Sequence, residues 1–322
     1  MDLASLSRFG FFTLPDYSMI AVTNAIEACR MANRVAGREV YSWQVLTMDG
    51  VPSTASNGLV LSPCLRLDEA PPPDVLFVCG GVHVRAAVKK PMLDMLRRQA
   101  RHGRLLGALC TGAFALAEAG LLEGYRCAIH WENLPASREK FPKTEFVPDL
   151  FVVDRDRITC TGGIAPLDMM LSLIHARLGR SFAEEVSATF VHERMRMSGE
   201  RQPLAAHDRV KPSHPLLAQA VALLEANLAN DLPASEIAER LNVSPRQLQR
   251  FFKRHMGTTL AHFAQELRLK RAQHLLQQTD LRITEVASLC GFSSAAYFSS
   301  AYARCFGYAP SRESHKAAIT GA

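Results

Sequence analysis

The sequence predicts an α/β sandwich built on a parallel sheet, followed by an all-α domain with two helix-turn-helix motifs. Three observations predict it. Short apolar runs alternate with amphipathic stretches over residues 8–180, the signature of a parallel sheet covered on both faces. A polar, proline-bearing stretch over 198–215 then breaks the pattern, and no strand-like run follows it. Within the remaining segment, a helix-turn-helix pattern occurs twice. A length of 322 residues suits two domains, at roughly 100–200 residues each. With 48% apolar and 21% charged residues, the composition excludes disorder as the dominant state. Gly and Pro are too few, at 19 and 17, for a fibrous chain.

The elements follow in order. Arg8–Leu14 reads as a strand, Tyr17–Val35 as a helix through the spacing of Ile20, Ile26, Cys29 and Met31, and Tyr41–Met48 as a strand. Asp74–Cys79 is a buried strand stopped by Gly80 and Gly81. Met92–His102 is a helix with one charged face, Arg104–Leu109 a strand and Gly112–Ala119 a helix. Leu150–Cys160 forms a hairpin around Arg155 and Asp156. Pro166–Leu178 is a helix with Asp168 in its first turn, where the helix dipole favours an acid. Past the polar stretch, helices are expected at Leu216–Ala229, Ser235–Leu241, Pro245–His255, Leu260–Gln278, Thr284–Leu289 and Ala295–Cys305. The expected domains are therefore 1–197 and 216–322, joined by a linker over 198–215.

Charge separates the two parts. Residues 1–200 carry 22 basic and 22 acidic side chains, whereas residues 201–322 carry 15 and 9, which holds the whole excess of +6. A neutral body with a basic tail points to an electrostatic partner for the tail, such as nucleic acid or an anionic membrane. The apolar window Leu105–Leu122 contains Gly107, Gly112, Glu118 and Gly120, so it reads as strand, turn and helix rather than a membrane span. No export signal is read at the Met1-Asp2 start. The eight cysteines are scattered without a C-x-x-C pair. That suits a reduced, cytoplasmic protein with no structural metal.

The repeat sets Ile237-Ala238-Glu239-Arg240-Leu241-Asn242-Val243-Ser244 beside Val286-Ala287-Ser288-Leu289-Cys290-Gly291-Phe292-Ser293-Ser294. Each copy gives a short helix, a tight turn, an apolar residue and a serine, then a second helix ending at Gly257 or Gly307. Ser244 is placed to cap, and Pro245 suits the first helical position. Leu248, Phe251 and Phe252 share an inward face, leaving Arg246, Gln247, Gln249, Arg250 and Lys253 outside, with no acid between Ser244 and Gly257. Arg and Gln make paired hydrogen bonds with guanine and adenine edges, and Lys neutralises phosphate. In the second copy Phe298, Tyr302 and Phe306 face inward. Ser294, Ala295, Ala296, Ser299, Ser300 and Arg304 form its less basic outer face, which suits weaker contacts with less base specificity. The expected partner is double-stranded DNA rather than a membrane.

These residues resemble the DNA-binding domain of AraC/XylS-type transcription regulators. The resemblance rests on Arg268-Leu269-Lys270-Arg271-Ala272 with Leu275-Leu276, then Ile283-Thr284-Glu285-Val286-Ala287, Cys290-Gly291-Phe292, Tyr297-Phe298 and Phe306-Gly307. It implies two motifs entering successive major grooves, about 34 Å apart. Where that family continues with Thr-Pro and an aromatic-Arg pair, this chain has Ala309-Pro310-Ser311-Arg312-Glu313.

In the first domain, Cys110 lies between a strand and a helix in Gly107-Ala108-Leu109-Cys110-Thr111-Gly112, the setting of a nucleophile elbow. With Val78-Cys79-Gly80-Gly81 and Leu106–Gly124, residues 8–180 resemble the ThiJ/PfpI (class I glutamine amidotransferase-like) superfamily. The resemblance implies a flavodoxin-like sandwich with a pocket at the carboxyl ends of the strands. A cysteine nucleophile needs a base, and the superfamily's hydrolases often have a His after the Cys. Here Thr111 follows, and the early-helix acid is reduced to Asp16 beside Tyr17-Ser18-Met19. A ligand pocket without catalysis or cofactor is the expectation; a cysteine-dependent hydrolase or amidase with a DNA-binding tail is the alternative.

The composite resembles the GlxA-type subgroup of AraC regulators, through Cys110-Thr111-Gly112, Ala119-Gly120-Leu121-Leu122-Glu123-Gly124 and His130-Trp131. Further stretches, Arg30-Met31-Ala32-Asn33 and Ala165-Pro166-Leu167-Asp168-Met169-Met170 among them, are similar to regulators of glycine-betaine and dimethylglycine catabolism. The subgroup implies a small nitrogenous effector (betaine, dimethylglycine, carnitine-like or arginine-like), activation of catabolic genes, a homodimer and RNA polymerase as a further partner. Trp131 offers an indole face to a quaternary ammonium, with Glu132 and His130 beside it. The expected pocket comprises Asp16, Gly80, Gly81, Cys110, Thr111, His130, Trp131 and Glu132, with the Thr111–Gly112 amides receiving a ligand carboxylate.

Overall fold

Phe9, Phe11, Val75 and Phe77 alternate along two neighbouring strands and bury one face of a sheet, while Phe12, Leu76 and Val78 bury the other. That two-sided burial explains why these runs are apolar throughout rather than alternating. The computed structural model describes residues 2–192, 194–202, 215–230, 232–279 and 281–313. The chain divides into two units between Gln202 and Pro203.

The first unit runs β1 (Arg8–Thr13), α1 (Met19–Ala36), β2 (Ser42–Thr47), β3 (Leu65–Arg66), β4 (Val75–Cys79), α2 (Val84–Ala87), α3 (Lys90–Arg101), β5 (Leu105–Leu109) and α4 (Gly112–Glu118). It continues with β6 (Arg126–Ala128), α5 (Leu134–Lys140), β7 (Glu145–Val147), β8 (Phe151–Asp154), β9 (Arg157–Cys160), α6 (Ala165–Leu178) and α7 (Arg180–Ala188). Seven strands form one sheet in the order β3-β2-β1-β4-β5-β9-β8. All its pairs are parallel except β8 with β9, the hairpin turned at Arg155 and Asp156. Helices α1, α6 and α7 pack on the face that carries Phe9, Phe11 and Phe77. β6 and β7 form a separate parallel pair.

Residues 198–202, read from sequence as linker, pack on this unit instead. The Leu150 amide donates to the Glu200 carbonyl and the Gln202 amide to the Pro148 carbonyl. Paired backbone at both places holds the segment down before the chain leaves. Residues 203–214, the rest of the expected linker, lie outside the described residues.

The second unit holds α8 (Pro215–Ala226), α9 (Ala234–Arg240), α10 (Pro245–Met256), α11 (Leu260–Gln278), α12 (Ile283–Leu289) and α13 (Ala295–Phe306). Leu217, Val221, Ile237, Ala238, Leu248, Phe252 and Leu260 form one buried cluster. Around the second motif, Phe298 packs against Phe292 and Tyr302, with ring centroids 5.1 and 5.5 Å apart.

Candidate effector pocket and DNA-reading surfaces

Three loops crowd together at the carboxyl ends of the parallel strands in the first unit. Cys110 follows β5 with φ 58°, the strained left-handed conformation of an elbow. Its amide donates to the Cys160 carbonyl at 3.0 Å. A Cβ on Gly162 would lie 2.9 Å from the Cys110 Cβ, and one on Gly81 only 1.6 Å from the Asp16 carbonyl oxygen. These glycines let three loops close on the elbow.

The thiol of Cys110 is poorly suited to attack. Burial pushes its pKa up to about 12; the Thr111 amide at the sulfur opposes this, and the charge of Glu132 adds to it. At neutral pH it is a protonated thiol, the opposite of an activated nucleophile. His130 lies 3.5 Å from Glu132 through Nδ1, and burial lowers its pKa against the pull of Glu132. Trp131 is half-buried, its ring 5.7 Å from that of His130. Asp16, itself at φ 57°, holds His83 Nδ1 at 2.9 Å.

The second unit presents two copies of one frame. Asn242 at φ 53° and Gly291 at φ 73° make the turns, and Ser244 and Ser294 cap the helices that follow. On α10 the side chains of Arg246, Gln249, Arg250, Lys253 and Arg254 are exposed. Leu248 and Phe252 are fully buried behind them.

A helix-turn-helix domain model matches residues 237–314, and the DJ-1/PfpI family model matches residues 18–176. A solved AraC family transcriptional regulator from Pseudomonas putida superposes with a TM-score of 0.52 at 33% identity, covering 57% of this chain and 99% of that one. The HTH-type transcriptional regulator GbdR of Pseudomonas aeruginosa is 43% identical over 94% of this chain and 83% of its own length. The chain belongs to the AraC-type transcriptional regulators with an N-terminal DJ-1/PfpI domain. The regulator GlxA of Rhizobium meliloti is also similar, 37% identical over 96% of each chain. The fold class read from sequence therefore stands, and the protein is a ligand-responsive, DNA-binding regulator of catabolic genes. Among the described residues no helix is long and apolar enough to cross a membrane.

In this regulator Asp16, Gly80, Gly81, Cys110 and Thr111 come together at the elbow, and Glu132 acts electrostatically on Cys110. Thr111 is buried, its hydroxyl donating to the Gly81 carbonyl at 2.7 Å, so it braces the loop. The Thr111 amide faces the Cys110 sulfur. The Gly112 nitrogen is packed so tightly that a Cβ on Gly80 would approach it to 2.6 Å. His83 was not read from sequence: it meets Asp16 across 67 residues, and nothing local announces it.

On the DNA side, Gln247 turns its side-chain Oε1 back to accept from the Ser244 backbone amide at 3.0 Å, while the Gln247 backbone amide donates to the Ser244 hydroxyl. It closes a capping box, which the Ser-x-x-Gln spacing could have revealed. In the second copy Ala296, Ser300 and Arg304 are exposed, whereas Ala295 and Ser299 are half-buried, so that outer face is narrower than expected.

Proposed function

We propose that the first unit binds a small cationic nitrogen metabolite, a methylated amine such as glycine betaine or dimethylglycine, at the elbow. One observation carries the reading. The Glu132 carboxyl acts electrostatically on Cys110 and lies 3.5 Å from His130, whose ring packs 5.7 Å from the indole of Trp131, so a carboxyl and an indole are offered together. A quaternary ammonium gains about 2 kcal/mol over an indole face when desolvated, and a carboxylate adds to it. The protonated thiol of Cys110 disfavours the hydrolase alternative, because attack needs a thiolate and a base. We assign base reading to Arg246, Gln249 and Arg250, phosphate contact to Lys253, and a supporting role to Ser294, Ala296, Ser300 and Arg304. The regulator acts as a cytoplasmic homodimer and activator, in contact with RNA polymerase.

A thermal-shift series with glycine betaine, dimethylglycine, carnitine, choline, arginine and ornithine tests the effector. A ligand at 100 times its Kd stabilises by about 2.7 kcal/mol. The expected result is a shift with betaine or dimethylglycine that disappears in Trp131→Ala. A shift only with arginine or ornithine discards the methylated amine. Turnover of any of these compounds that is lost in Cys110→Ala restores the hydrolase.

A further inference from the structure

The last residues of the first unit are tied to both walls of the pocket. Asp168, in the first turn of α6, is fully buried. Its carboxylate accepts from the Arg196 amide at 2.8 Å and from Arg196 Nε and Nη2 at 2.9 and 2.6 Å. His192 Nε2 lies 3.6 Å away. All these groups come from the strap that leads to Gln202. A buried carboxylate stripped of its partners is strongly destabilising, so the dipole at the helix start does not suffice to explain this acid. Six residues before Asp168, ahead of α6, Gly162 packs directly against Cys110, and its carbonyl accepts from the Ala165 amide at 3.1 Å.

The far end of the strap reaches the other wall. Gln202 is buried, and its Nε2 donates to the Ile129 carbonyl at 2.9 Å. Ile129 immediately precedes His130, Trp131 and Glu132. Between the two ends, the Leu150 amide donates to the Glu200 carbonyl, the Arg201 backbone forms an isolated antiparallel β-bridge with Asp149, and Arg194 pairs with Glu200 at 2.7 Å. Thus the stretch that leads out of the sensing unit is clamped at the elbow side through α6 and at the tryptophan side through Ile129.

We propose that His192 and residues 194–202 are a two-point latch through which the effector pocket controls the start of the linker. The closed latch holds Ile129–Glu132 in the arrangement that receives the effector, and effector binding in turn tightens the latch. The inference rests on the pocket assigned above. A ligand shifts such an equilibrium only by its preference for one state. Linkage then requires that a latch residue change effector affinity without touching the effector.

The test uses the full chain, Gln202→Leu and Arg196→Ala, with hydrogen exchange followed by mass spectrometry, and glycine betaine as the calorimetric probe. Gln202→Leu removes one donor and keeps the side-chain volume, so it remains informative if Arg196→Ala does not fold. Without probe, each substitution is expected to speed exchange at both ends, around 129–133 on the tryptophan side and around 162–168 and 194–196 on the elbow side, with β1 and β4 unchanged. Acceleration confined to the substituted end overturns the latch. With probe, both variants are expected to bind about fivefold more weakly or worse; unchanged affinity overturns the coupling. If the unmutated regulator does not bind betaine, the methylated-amine reading fails, and the exchange result alone decides the latch.

Discussion

The two helix-turn-helix motifs share a frame and differ in what they display. Both turn on a residue with positive φ, both cap the second helix with serine, and both end it on a left-handed glycine, Gly257 or Gly307. The outer face of α10 carries three arginines, a lysine and Gln249, whereas that of α13 offers alanine, serine and Arg304. Fold and reading are therefore separable: the buried aromatics fix the frame, and the exposed positions are free to differ. The second copy also has an anchor with no counterpart in the first among the described residues. Glu313, nearly buried, accepts hydrogen bonds from Tyr302, Tyr308, Gln273 and Gln277. It stands in the segment that departs from the family pattern, where a carboxylate ringed by neutral donors ties α13 to α11.

The comparison can be broken at four depths. The deepest is the frame. Phe252→Ala and Phe298→Ala should each cost about 3–5 kcal/mol in chemical denaturation, since both rings are fully buried. A cost in only one copy would show that the frames are not equivalent. Next, Arg246→Ala or Gln249→Ala should lose roughly 1–3 kcal/mol of discrimination between operator and altered sites, with Ser300→Ala nearly silent in the same titration. A large loss from Ser300→Ala would make the second motif the reader. Third, Lys253→Ala should weaken all duplexes alike and reduce the salt slope by about one unit.

The smallest effect concerns pH. Burial opposes the charge of Glu313, but its four donors outweigh it and hold the carboxyl below the usual glutamate range. Because the folded value is lowered, the stabilisation is complete above the unfolded value and fades as pH falls through the folded one. Glu313→Gln should flatten the acid limb of a denaturation profile, measured from about pH 5 to pH 3, and leave Arg246-dependent base discrimination intact.

Legibility followed the range of the interactions. The strands from Arg8, Val75 and Leu105 were readable because they are continuous apolar runs, and α11 was read to its ends. β3, β6 and β7 span two or three residues each, too few for any period to show. α7 escaped because it begins immediately after Gly179, where α6 is already expected to stop. Cys110 was legible as an elbow, since a strand–turn–helix boundary is local. His83 and the strap were not: Asp16 lies 67 residues from His83, and Asp168 lies 28 from Arg196. Asp168 shows the cost of local reading, for its place in a first turn offered a ready local explanation that concealed its tertiary partner.

Gly81 leaves no room for even a methyl group, since a Cβ there would sit 1.6 Å from the Asp16 carbonyl oxygen. Position 81 is thus closed to mutational tuning, whatever compound the regulator senses. A lineage that acquires a new inducer must do so through positions with slack, and Glu132, exposed beside the tryptophan, is such a position. Laboratory selection for altered inducers should accordingly accumulate changes around 130–132 and return none at residue 81.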